Sequence, residues 1–417
     1  MKPKITIIGA GIAGLSAAFH LHRAGFELQV IEATDRVGGR IKTDIVNGFR
    51  LDRGFQVLLT AYPEAKAMLD YKKLNLKTFL PGATVLYDGG QFQIADPFRR
   101  PTALFATIFA PVGSLKDKIN TFLLKHKLLK KSISDVFTQK QKTSQQQLVD
   151  YGFSQKMINQ FYKPFFSGIF LENNLETPNR MFDFVMKMFS EGDAAVPALG
   201  MEEIPKQLAA HLPKNCFLFD TTVQSINNQD VVFQDSTVLS TDIIIVATQA
   251  TQLVSQICSE TKTAHHSVTN VYFEADFAPT QKAVVVLNAS KSKKYVNNLT
   301  VMTNVSPEYA PQNKILISVS CNGISDLENS VLSDKIKLEL NPWFGAQTEK
   351  WAHLKTYKVK YALPKLDTVR DDMTETDFKL TEKLYVCGDH LLNGSINAAM
   401  KSGRLVAEAI IADHQKN

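Results

Sequence analysis

The sequence predicts an α/β protein in which a parallel sheet, discontinuous in sequence, is joined to a second, α+β domain built on an antiparallel sheet. Three observations lead to this prediction. Short buried strands alternate with a helix in the first forty residues, two further buried strands stand near 242–248 and 384–387, and short strands with turn residues between them recur from 269 to 320. Strands that alternate with helices are typical of parallel sheets, and closely spaced strands are typical of antiparallel ones.

The composition is that of an ordinary globular protein, with 417 residues of which 44% are hydrophobic and 21% charged. A chain of this length suggests two or three domains. The net charge of +6 is too small to indicate a nucleic-acid partner. Cysteines 216, 258, 321 and 387 show no metal-ligand spacing, so we expect a reduced cytoplasmic protein without disulfides or bound metal.

The N-terminal segment has the order strand, turn, helix, strand. Lys4 to Ile8 is apolar on both faces, as expected of a buried parallel strand, and Glu27 to Ile31 forms the second strand. Between them, the pattern Gly-x-Gly-x-x-Gly at residues 9–14 opens a helix that continues to Arg23. This context is the one that a dinucleotide-binding turn requires.

Each glycine of the turn has a separate task. Gly9 permits the tight turn, Gly11 lets the backbone approach a pyrophosphate, and Gly14 lets the helix pack closely on the strand. The backbone amides from Gly11 through Ile12 to Ala13 then point at the phosphates from the positive end of the helix. The segment therefore predicts a Rossmann-type dinucleotide site.

Glu32 ends the second strand, where a carboxylate accepts hydrogen bonds from ribose hydroxyls and disfavours a 2′-phosphate. The segment Arg36-Val37-Gly38-Gly39-Arg40 follows, in which Gly38 and Gly39 let a second loop approach the pyrophosphate and Arg40 supplies a permanent charge. With these motifs, the sequence resembles the superfamily of flavin-containing amine oxidases and phytoene desaturases. The resemblance implies FAD, bound non-covalently, as the cofactor.

The same resemblance implies further FAD-binding segments far along the chain. Val223 matches the residue whose backbone meets the adenine, and Gly388 with Asp389 ends a buried strand in the place where the family's Asp contacts the ribityl–phosphate region. The last helix then opens at Ser395, Ile396 and Asn397, where the family's backbone amides face the flavin ring. The resemblance also makes Gly54, Phe55 and Gln56 candidates for contact with the flavin, with an ordinary strand connection as the alternative.

These segments divide the chain into two interlaced domains. We expect residues 1–60, 196–250 and 365–417 to form the FAD-binding domain, and residues 61–195 and 251–364 to form the substrate domain. No second Gly-x-Gly-x-x-Gly unit is present for a nicotinamide, so electrons should leave to oxygen, a quinone or another acceptor.

The substrate half offers less specific signals. A β-hairpin is expected over 80–95, and Asn297-Asn298 is interpreted as a turn between later strands. The aromatic segment from Phe161 to Leu171 resembles one in the desaturase-like relatives, and it either lines an apolar channel or belongs to the core. Gln56, Tyr357, Tyr361 and His390 are candidate wall residues without an assigned chemical role.

The positive charge is concentrated in one segment. Residues 97–164 carry a net charge of +9, against −3 for the rest of the chain. Apolar residues recur at helical spacing from Ser114 to Phe137, with lysines between them, next to the apolar run from Ala103 to Gly113, which is too short to span a membrane. A peripheral contact with an anionic membrane and a solvated helix packed on the substrate domain are both consistent with this pattern.

The functional hypothesis is an FAD-dependent oxidoreductase that removes a hydride equivalent from an apolar, isoprenoid- or polyene-like substrate. A flavin amine oxidase is the alternative, but the lysine that amine oxidases carry near flavin N5 and their aromatic residue before the final helix are both missing. Asn393-Gly394-Ser395 stands in the latter place. A reduced-flavin isomerase and a non-catalytic flavin-binding protein remain as hypotheses of another class. No catalytic residue is assigned.

Overall fold

The computed structural model describes residues 2–95, 99, 110–248, 253 and 264–416. Among the features considered above, Cys258 and residues 97, 98 and 100–109 of the basic segment, with most of the apolar run, lie outside this part of the chain.

The strands are β1 (Lys4–Ile8), β2 (Glu27–Ile31), β3 (Thr43–Val46), β4 (Phe49–Asp52), β5 (Leu58–Leu59), β6 (Leu76–Thr78), β7 (Gly82–Tyr87), β8 (Gly90–Ala95), β9 (Ala194–Pro197), β10 (Phe217–Leu218), β11 (Val223–Asn227), β12 (Asp230–Phe233), β13 (Val238–Ser240), β14 (Ile243–Val246), β15 (His265–Ala275), β16 (Val285–Asn288), β17 (Asn298–Val301), β18 (Ile315–Asn322), β19 (Ala352–Pro364), β20 (Lys379–Thr381) and β21 (Leu384–Val386). The α-helices are α1 (Ile12–Arg23), α2 (Pro63–Met68), α3 (Leu115–Lys130), α4 (Ile133–Thr138), α5 (Ser144–Asp150), α6 (Gln155–Met157), α7 (Lys163–Phe170), α8 (Asn179–Glu191), α9 (Glu203–Ala209), α10 (Met302–Val305), α11 (Asn329–Phe344), α12 (Glu375–Phe378) and α13 (Ile396–Lys416).

The first large sheet has six strands in the order β10-β2-β1-β14-β21-β20. Its first five strands are parallel, and β20 joins β21 as an antiparallel edge. The strands come from the beginning, middle and end of the chain, which confirms the predicted discontinuous parallel sheet. Helices α1 and α13 pack closely together, since a Cβ atom on Gly403 would lie 2.2 Å from the carbonyl oxygen of Ala13.

The second large sheet has seven strands in the order β19-β15-β18-β17-β16-β7-β8. It is antiparallel as predicted, with one exception: β7 and β16 pair in parallel, with Ala83 opposite Val285. The β7–β8 hairpin is separated from β16 by some two hundred residues of sequence, so its strand direction is not fixed by a short turn. The prediction missed β19, although its second half alternates apolar residues with lysines in the pattern of a half-buried strand.

The two faces of this sheet have different surroundings. One face packs against α11 through a cluster that includes Val271, Leu299, Val319 and Ile336. The opposite face carries Val268, Leu287, Asn298 and Ser320 toward the large cavity described below. The sheet therefore forms a wall between a satellite core and the cavity.

The helical stretch predicted from Ser114 to Phe137 consists of two helices. Ser114 caps α3 by accepting a hydrogen bond from the Asp117 amide, and Ser132 caps α4 in the same way with Asp135. Each serine and aspartate forms a capping box, in which both side chains satisfy backbone amides at a helix start. The second capping box explains why the helix is interrupted at Ser132.

Candidate active site

A cavity of about 1470 Å³ extends from the glycine turn before α1 to the wall of the seven-stranded sheet. All but two of the predicted cofactor-binding residues line it. These lining residues are Gly9, Gly11, Ile12, Ala13, Glu32, Gly38, Gly39, Arg40, Gly54, Phe55, Gln56, Val223, Gly388, Asp389, Ser395 and Ile396. The structure thus brings together segments that are far apart in the chain.

The two exceptions are Gly14 and Asn397. A Cβ on Gly14 would lie only 2.1 Å from the carbonyl oxygen of Gly9 and 3.1 Å from Cβ of Ala247, so this glycine permits close packing of α1 on the sheet, the task predicted for it. Asn397 is buried, and its Oδ1 accepts a hydrogen bond of 3.0 Å from the backbone amide of Glu64. The Asn397 side chain therefore connects α13 to α2 outside the cavity.

The glycine turn leaves its backbone accessible from the cavity. Gly9 has φ of +107°, a conformation that favours glycine, whereas a Cβ on Gly11 would meet no atom of the described residues within 4 Å. Gly11 also pairs with Gly38 of the second loop, and a Cβ on Gly39 would lie 3.3 Å from Cα of Gly11. Two glycine loops therefore run side by side at the N-terminus of α1, which has no side-chain cap.

Glu32 lies at the carboxyl end of β2 and is largely buried. Its Oε2 accepts a hydrogen bond of 3.0 Å from the Ala10 amide, and its Oε1 accepts from the amide and hydroxyl of Thr34. A carboxylate offers about four acceptor positions, so Oε2 can still accept a hydroxyl group from the cavity side. These bonds hold the carboxylate beside the glycine turn.

Arg40 and Asp389 form an ion pair at the cavity wall. Nη2 of Arg40 lies 2.5 Å from Oδ1 of Asp389, and the Asp389 side chain is 8% exposed. Burial by itself raises the pKa of Asp389, but the charge and hydrogen bond of Arg40 outweigh burial, and the pKa is lowered. Asp389 is therefore an ionised anchor that fixes the Arg40 guanidinium in place.

Three of the four candidate wall residues line the cavity, namely Gln56, Tyr361 and His390. Gln56 donates from Nε2 to the Arg40 carbonyl at 3.2 Å, while its Oε1 is buried and has no hydrogen-bond partner among the described residues. Burial lowers the pKa of His390, although Asp389 opposes that effect. Tyr357 lies elsewhere and donates its hydroxyl to Oδ2 of Asp44 at 2.8 Å.

The N-terminus of α13 meets the same part of the cavity. Gly394, Ser395 and Ile396 line the wall, and Oγ of Ser395 accepts a hydrogen bond of 3.0 Å from the Ala398 amide. Ser395 also donates to Oδ1 of Asn393 at 2.7 Å. A 21-residue helix therefore directs the positive end of its dipole toward the cavity.

The wall beyond the glycine loops is rich in aromatic and aliphatic side chains. Phe161 and Phe165 stack with ring centroids 5.8 Å apart, and Phe165 contacts Phe189 at 5.4 Å. All three rings line the cavity, as do Ile169 and several neighbours. A π-helical turn at Ile158–Tyr162 links α6 to α7 within this segment.

Both interpretations of the aromatic segment hold, for different residues. Phe166 is fully buried and packs on Phe182 at 4.5 Å, within the hydrophobic core. Phe161 and Phe165, one helical turn apart, face the cavity instead. Phe165 and Phe166 are neighbours in α7 and point about 100° apart around its axis, so one ring meets the cavity and the other the core.

The sheet wall carries polar residues that the sequence did not reveal as site residues. Asn298 is the first residue of β17 rather than part of a turn, and it is 5% exposed while lining the cavity. It pairs across the sheet with Ser320 and with Leu287, which also line the cavity. The interpretation of Asn298 as a turn residue was therefore wrong, because the second residue of the Asn-Asn pair already belongs to a buried strand.

Within the described residues, no group of three or more His, Cys, Asp and Glu side chains is arranged to hold a metal ion. The cysteines at 216, 321 and 387 are buried and free. No described helix combines the length and apolar character needed to cross a membrane.

A Rossmann-type sheet, two glycine loops and a cavity that joins them to a second domain define the class of an FAD-dependent oxidoreductase. The family of flavin containing amine oxidoreductases matches residues 12–411, and the chain belongs to this family. FAD is accordingly the cofactor.

Curated relatives include enzymes with different substrates. Protoporphyrinogen oxidase 2 of Arabidopsis thaliana is 28% identical over 167 residues, which are 40% of this chain and 32% of that protein. Probable polyamine oxidase 4 of the same organism is 36% identical over 90 residues, or 21% and 18% of the two chains. The 4,4'-diapolycopene oxygenase of a Methylomonas species is 39% identical over 81 residues, or 17% and 16%. The matches thus cover a third or less of these relatives.

Solved structures share the fold over nearly the whole chain. An oxidoreductase from Methanosarcina mazei superposes with a TM-score of 0.74 and 18% identity, covering 97% of this chain and all of that one. Cyclohexylamine oxidase from Brevibacterium oxydans gives a TM-score of 0.72 and 15% identity over 100% of both chains. At these identities the likeness shows the fold alone.

The residues in the cavity fit FAD. Gly11 leaves open space where any side chain would project, and Glu32 keeps an acceptor position for a ribose hydroxyl. The orphaned Oε1 of Gln56 is a buried acceptor suited to a ring N–H group. These residues would hold the pyrophosphate at the glycine loops and the flavin ring near Gln56 and the start of α13, as the sequence predicts.

Proposed function

We propose that this protein uses FAD to oxidise a small molecule whose body is largely apolar, of the isoprenoid or polyene type. The observation that carries the proposal is the aromatic wall formed by Phe161, Phe165 and Phe189, which continues the cavity beyond the glycine loops. A cavity of this size takes an extended molecule as well as the cofactor.

Bound at this site, FAD would supply the acceptor for a hydride equivalent from a carbon of the substrate. The contribution of the chain is to hold the substrate against the cofactor and to exclude water from the contact. The Arg40–Asp389 pair fixes charge near the phosphates, and the N-terminus of α13 stabilises negative charge near Ser395. The aromatic wall fits this positioning role, because aromatic side chains offer shape and apolar contact and do not transfer protons.

Anaerobic reduction of the flavin tests the proposed function. The purified holoprotein is mixed with isoprenoid alcohols, polyenes and amines, and bleaching of the flavin absorbance is recorded. We expect bleaching by an isoprenoid or polyene compound and none by the amines. Bleaching by amines alone would establish the amine oxidase alternative.

The non-redox alternatives give different results in the same assay. Product formation without consumption of any electron acceptor would identify an isomerase that uses reduced flavin. If none of these compounds reduces the flavin and none is converted to a product, the protein binds FAD without catalysis. Reoxidation by oxygen or by a quinone then identifies the acceptor.

We further propose that the basic segment 97–164 contacts an anionic membrane through α3. Leu115, Ile119 and Leu123 are each at least half exposed on the outer face of α3, and Phe122 is 44% exposed. Leu124 and Leu128 on the opposite face are buried against the protein. An exposed apolar stripe opposite a buried face is typical of a helix that lies in the interface of a bilayer.

Lysines flank this stripe on both sides. On the helical wheel, Lys118 and Lys125 lie along one edge, and Lys116 and Lys127 lie along the other. Lysines in these positions place positive charge beside an inserted apolar face and attract anionic headgroups. The charge pattern favours a lipid surface over an apolar protein partner.

The position of α3 relative to the cavity supports the same proposal. Leu115, Ile119 and Phe122 line the cavity while also being exposed to solvent, so they stand at its mouth. The helix is held there by Asp117, whose Oδ1 accepts a hydrogen bond of 2.6 Å from the Ser154 amide. An apolar substrate could then pass from the bilayer to the cavity without crossing water.

A further inference from the structure

The cavity that we assign to an apolar substrate has one wall that is not apolar. The face of the seven-stranded sheet that lines the cavity presents Asn298 and Ser320 side by side, since the two residues pair between β17 and β18. Asn270 pairs with Ser320 on the other side, and all three are buried. A polar row therefore crosses the middle of the sheet.

Hydrogen bonds between protein groups satisfy some of the polar side chains in this row. Ser320 donates to Oδ1 of Asn270 at 2.7 Å, and Nδ2 of Asn270 donates to the Ser318 hydroxyl at 3.1 Å. The neighbouring Asn297 reaches the Pro164 carbonyl, 3.5 Å away. These side chains have partners in the protein and need none from a ligand.

Asn298 differs from its neighbours. Among the residues that the structure describes, none shares a hydrogen bond with its side-chain amide, although the residue is only 5% exposed and lines the cavity. An amide carries two donors and an acceptor, and leaving them unpaired in an apolar enclosure costs free energy. The cavity wall therefore presents a side-chain amide that has no hydrogen-bond partner among the described residues.

The position of Asn298 depends on a glycine in the facing helix. A Cβ on Gly168 of α7 would lie 2.6 Å from Nδ2 of Asn298, so the amide occupies the space that any other residue would fill. Gly168 also lines the cavity, between the aromatic segment and the sheet. The absence of a side chain at Gly168 therefore leaves room for the Asn298 amide beside α7.

We infer that the substrate carries a hydroxyl, carbonyl or carboxyl group on its apolar body and that Asn298 binds this group. The inference rests on the proposed function and narrows it, because an unsubstituted hydrocarbon would leave the amide unpaired. A site built around a polar group rejects an analogue that lacks it far more strongly than a purely apolar pocket discriminates by shape. Asn298 is thereby a specificity-determining residue.

Binding of matched compounds to the holoprotein tests this inference. The probes are a fifteen-carbon isoprenoid alcohol and the hydrocarbon of the same skeleton, titrated anaerobically while the flavin absorbance spectrum is followed. We expect the alcohol to bind at least about tenfold more tightly than the hydrocarbon. In Asn298→Leu, the ratio should fall to about twofold or less.

Two controls make the result specific. Leu287→Met changes the cross-strand neighbour of Asn298 without removing a polar group, so the ratio should remain near its original value. Asn298→Ala adds no volume and should also abolish the preference for the alcohol over the hydrocarbon. The flavin absorbance spectrum of each variant reports whether the variant is folded and contains FAD.

The outcomes separate the inference from the proposed function. Equal binding of alcohol and hydrocarbon to the unmodified protein, or a ratio that survives in both Asn298 variants, would overturn the inference and leave the proposed function standing. If neither compound perturbs the flavin spectrum, the isoprenoid substrate class itself is rejected, and the inference with it.

Discussion

Arg40 and Asp389 stand 349 positions apart in the chain, and Nη2 of Arg40 lies 2.5 Å from Oδ1 of Asp389. The pair joins the second glycine loop to the segment between β21 and α13, and both residues line the cavity. Because the carboxylate is nearly buried, the interaction fixes the guanidinium more firmly than an exposed pair would.

The first prediction concerns this pair. Arg40→Met should weaken FAD binding to the apoprotein by at least about tenfold, because it removes a fixed positive charge from the proposed phosphate site and leaves Asp389 buried without its partner. Isothermal titration of apoprotein with FAD provides the measurement. In a double-mutant cycle with Asp389→Asn, we expect a coupling free energy of about 1–3 kcal/mol.

Arg404→Met is the matched control for Arg40→Met. Arg404 pairs with Glu64 at 2.7 Å, between α13 and α2, and neither residue lines the cavity. This substitution should lower the melting temperature while leaving FAD affinity within about twofold. Equal losses of FAD affinity in both variants would show that Arg40 acts only through general stability.

The second prediction contrasts two glycines of one motif. Gly14→Ala should prevent folding or lower stability by several kcal/mol, since its Cβ would lie 2.1 Å from the Gly9 carbonyl oxygen. Gly11→Ala should fold with nearly unchanged apoprotein stability, because its Cβ would meet nothing within 4 Å and its φ is −76°. The added methyl group would instead occupy space on the cavity side and weaken FAD binding.

Urea unfolding of the apoprotein and FAD titration distinguish the two effects. The interpretation requires that Gly11→Ala lose affinity without losing stability. If Gly11→Ala binds FAD as tightly as the unmodified protein, the pyrophosphate does not lie against Gly11, and our assignment of the glycine loops is incorrect.

Much of the cofactor half could be predicted from the sequence because local motifs determine it. The glycine turn, Glu32 and Arg40 lie within forty residues whose strand and helix order is itself diagnostic. Asp389 was accessible only through the family resemblance, since nothing near it in sequence indicates its pairing with Arg40. The Asn397 side chain accepts a hydrogen bond from the Glu64 amide outside the cavity, whereas the resemblance concerns the backbone amides at the start of α13.

The substrate half could be predicted less well because its contacts are non-local. The sequence around Asn298 predicts a turn. Only the pairing of β17 with β16 and β18 makes Asn298 part of the cavity wall. The parallel pairing of β7 with β16 likewise joins segments some two hundred residues apart. No periodicity within either strand reports its neighbours in the sheet.

The third prediction concerns the pH dependence of stability through Asp52. Asp52 is buried, and burial raises its pKa to about 6, although it accepts hydrogen bonds from Thr43, the Met201 amide and Tyr309. The folded protein then binds a proton that the unfolded chain has released, so the contribution of Asp52 to stability falls as pH rises from about 4 to 6. Relative to Asp52→Asn, the unmodified protein should lose roughly 3 kcal/mol at most across this range.

Urea unfolding at several pH values tests this sign. Asp377→Asn is a control with the opposite expectation: burial raises the pKa of Asp377, but bonds from the Thr374 amide and Arg370 outweigh burial and lower it. The contribution of Asp377 should therefore be lost only as pH falls below about 4. A stability difference between the unmodified protein and Asp52→Asn that stays constant from pH 4 to 6 would contradict the prediction.

The last prediction tests the proposed membrane surface with a matched pair of double variants. Lys116 and Leu123 are exposed neighbours on the outer face of α3, and neither lines the cavity. Lys335 and Leu338 are a comparable exposed pair on α11, at the far side of the seven-stranded sheet. Each double change to glutamate therefore removes one lysine and one exposed leucine without touching the cavity.

Sedimentation with vesicles of phosphatidylserine and phosphatidylcholine gives the readout. The unmodified protein should bind at low salt and be released as salt screens the lysines. Lys116→Glu with Leu123→Glu should lower binding at least about tenfold, since loss of one basic charge near the surface is worth about 1 kcal/mol and loss of the apolar contact adds to it. Lys335→Glu with Leu338→Glu should bind like the unmodified protein. If both double variants weaken vesicle binding equally, the effect comes from net charge and not from α3. If the unmodified protein does not bind vesicles at low salt, α3 is excluded as a membrane surface.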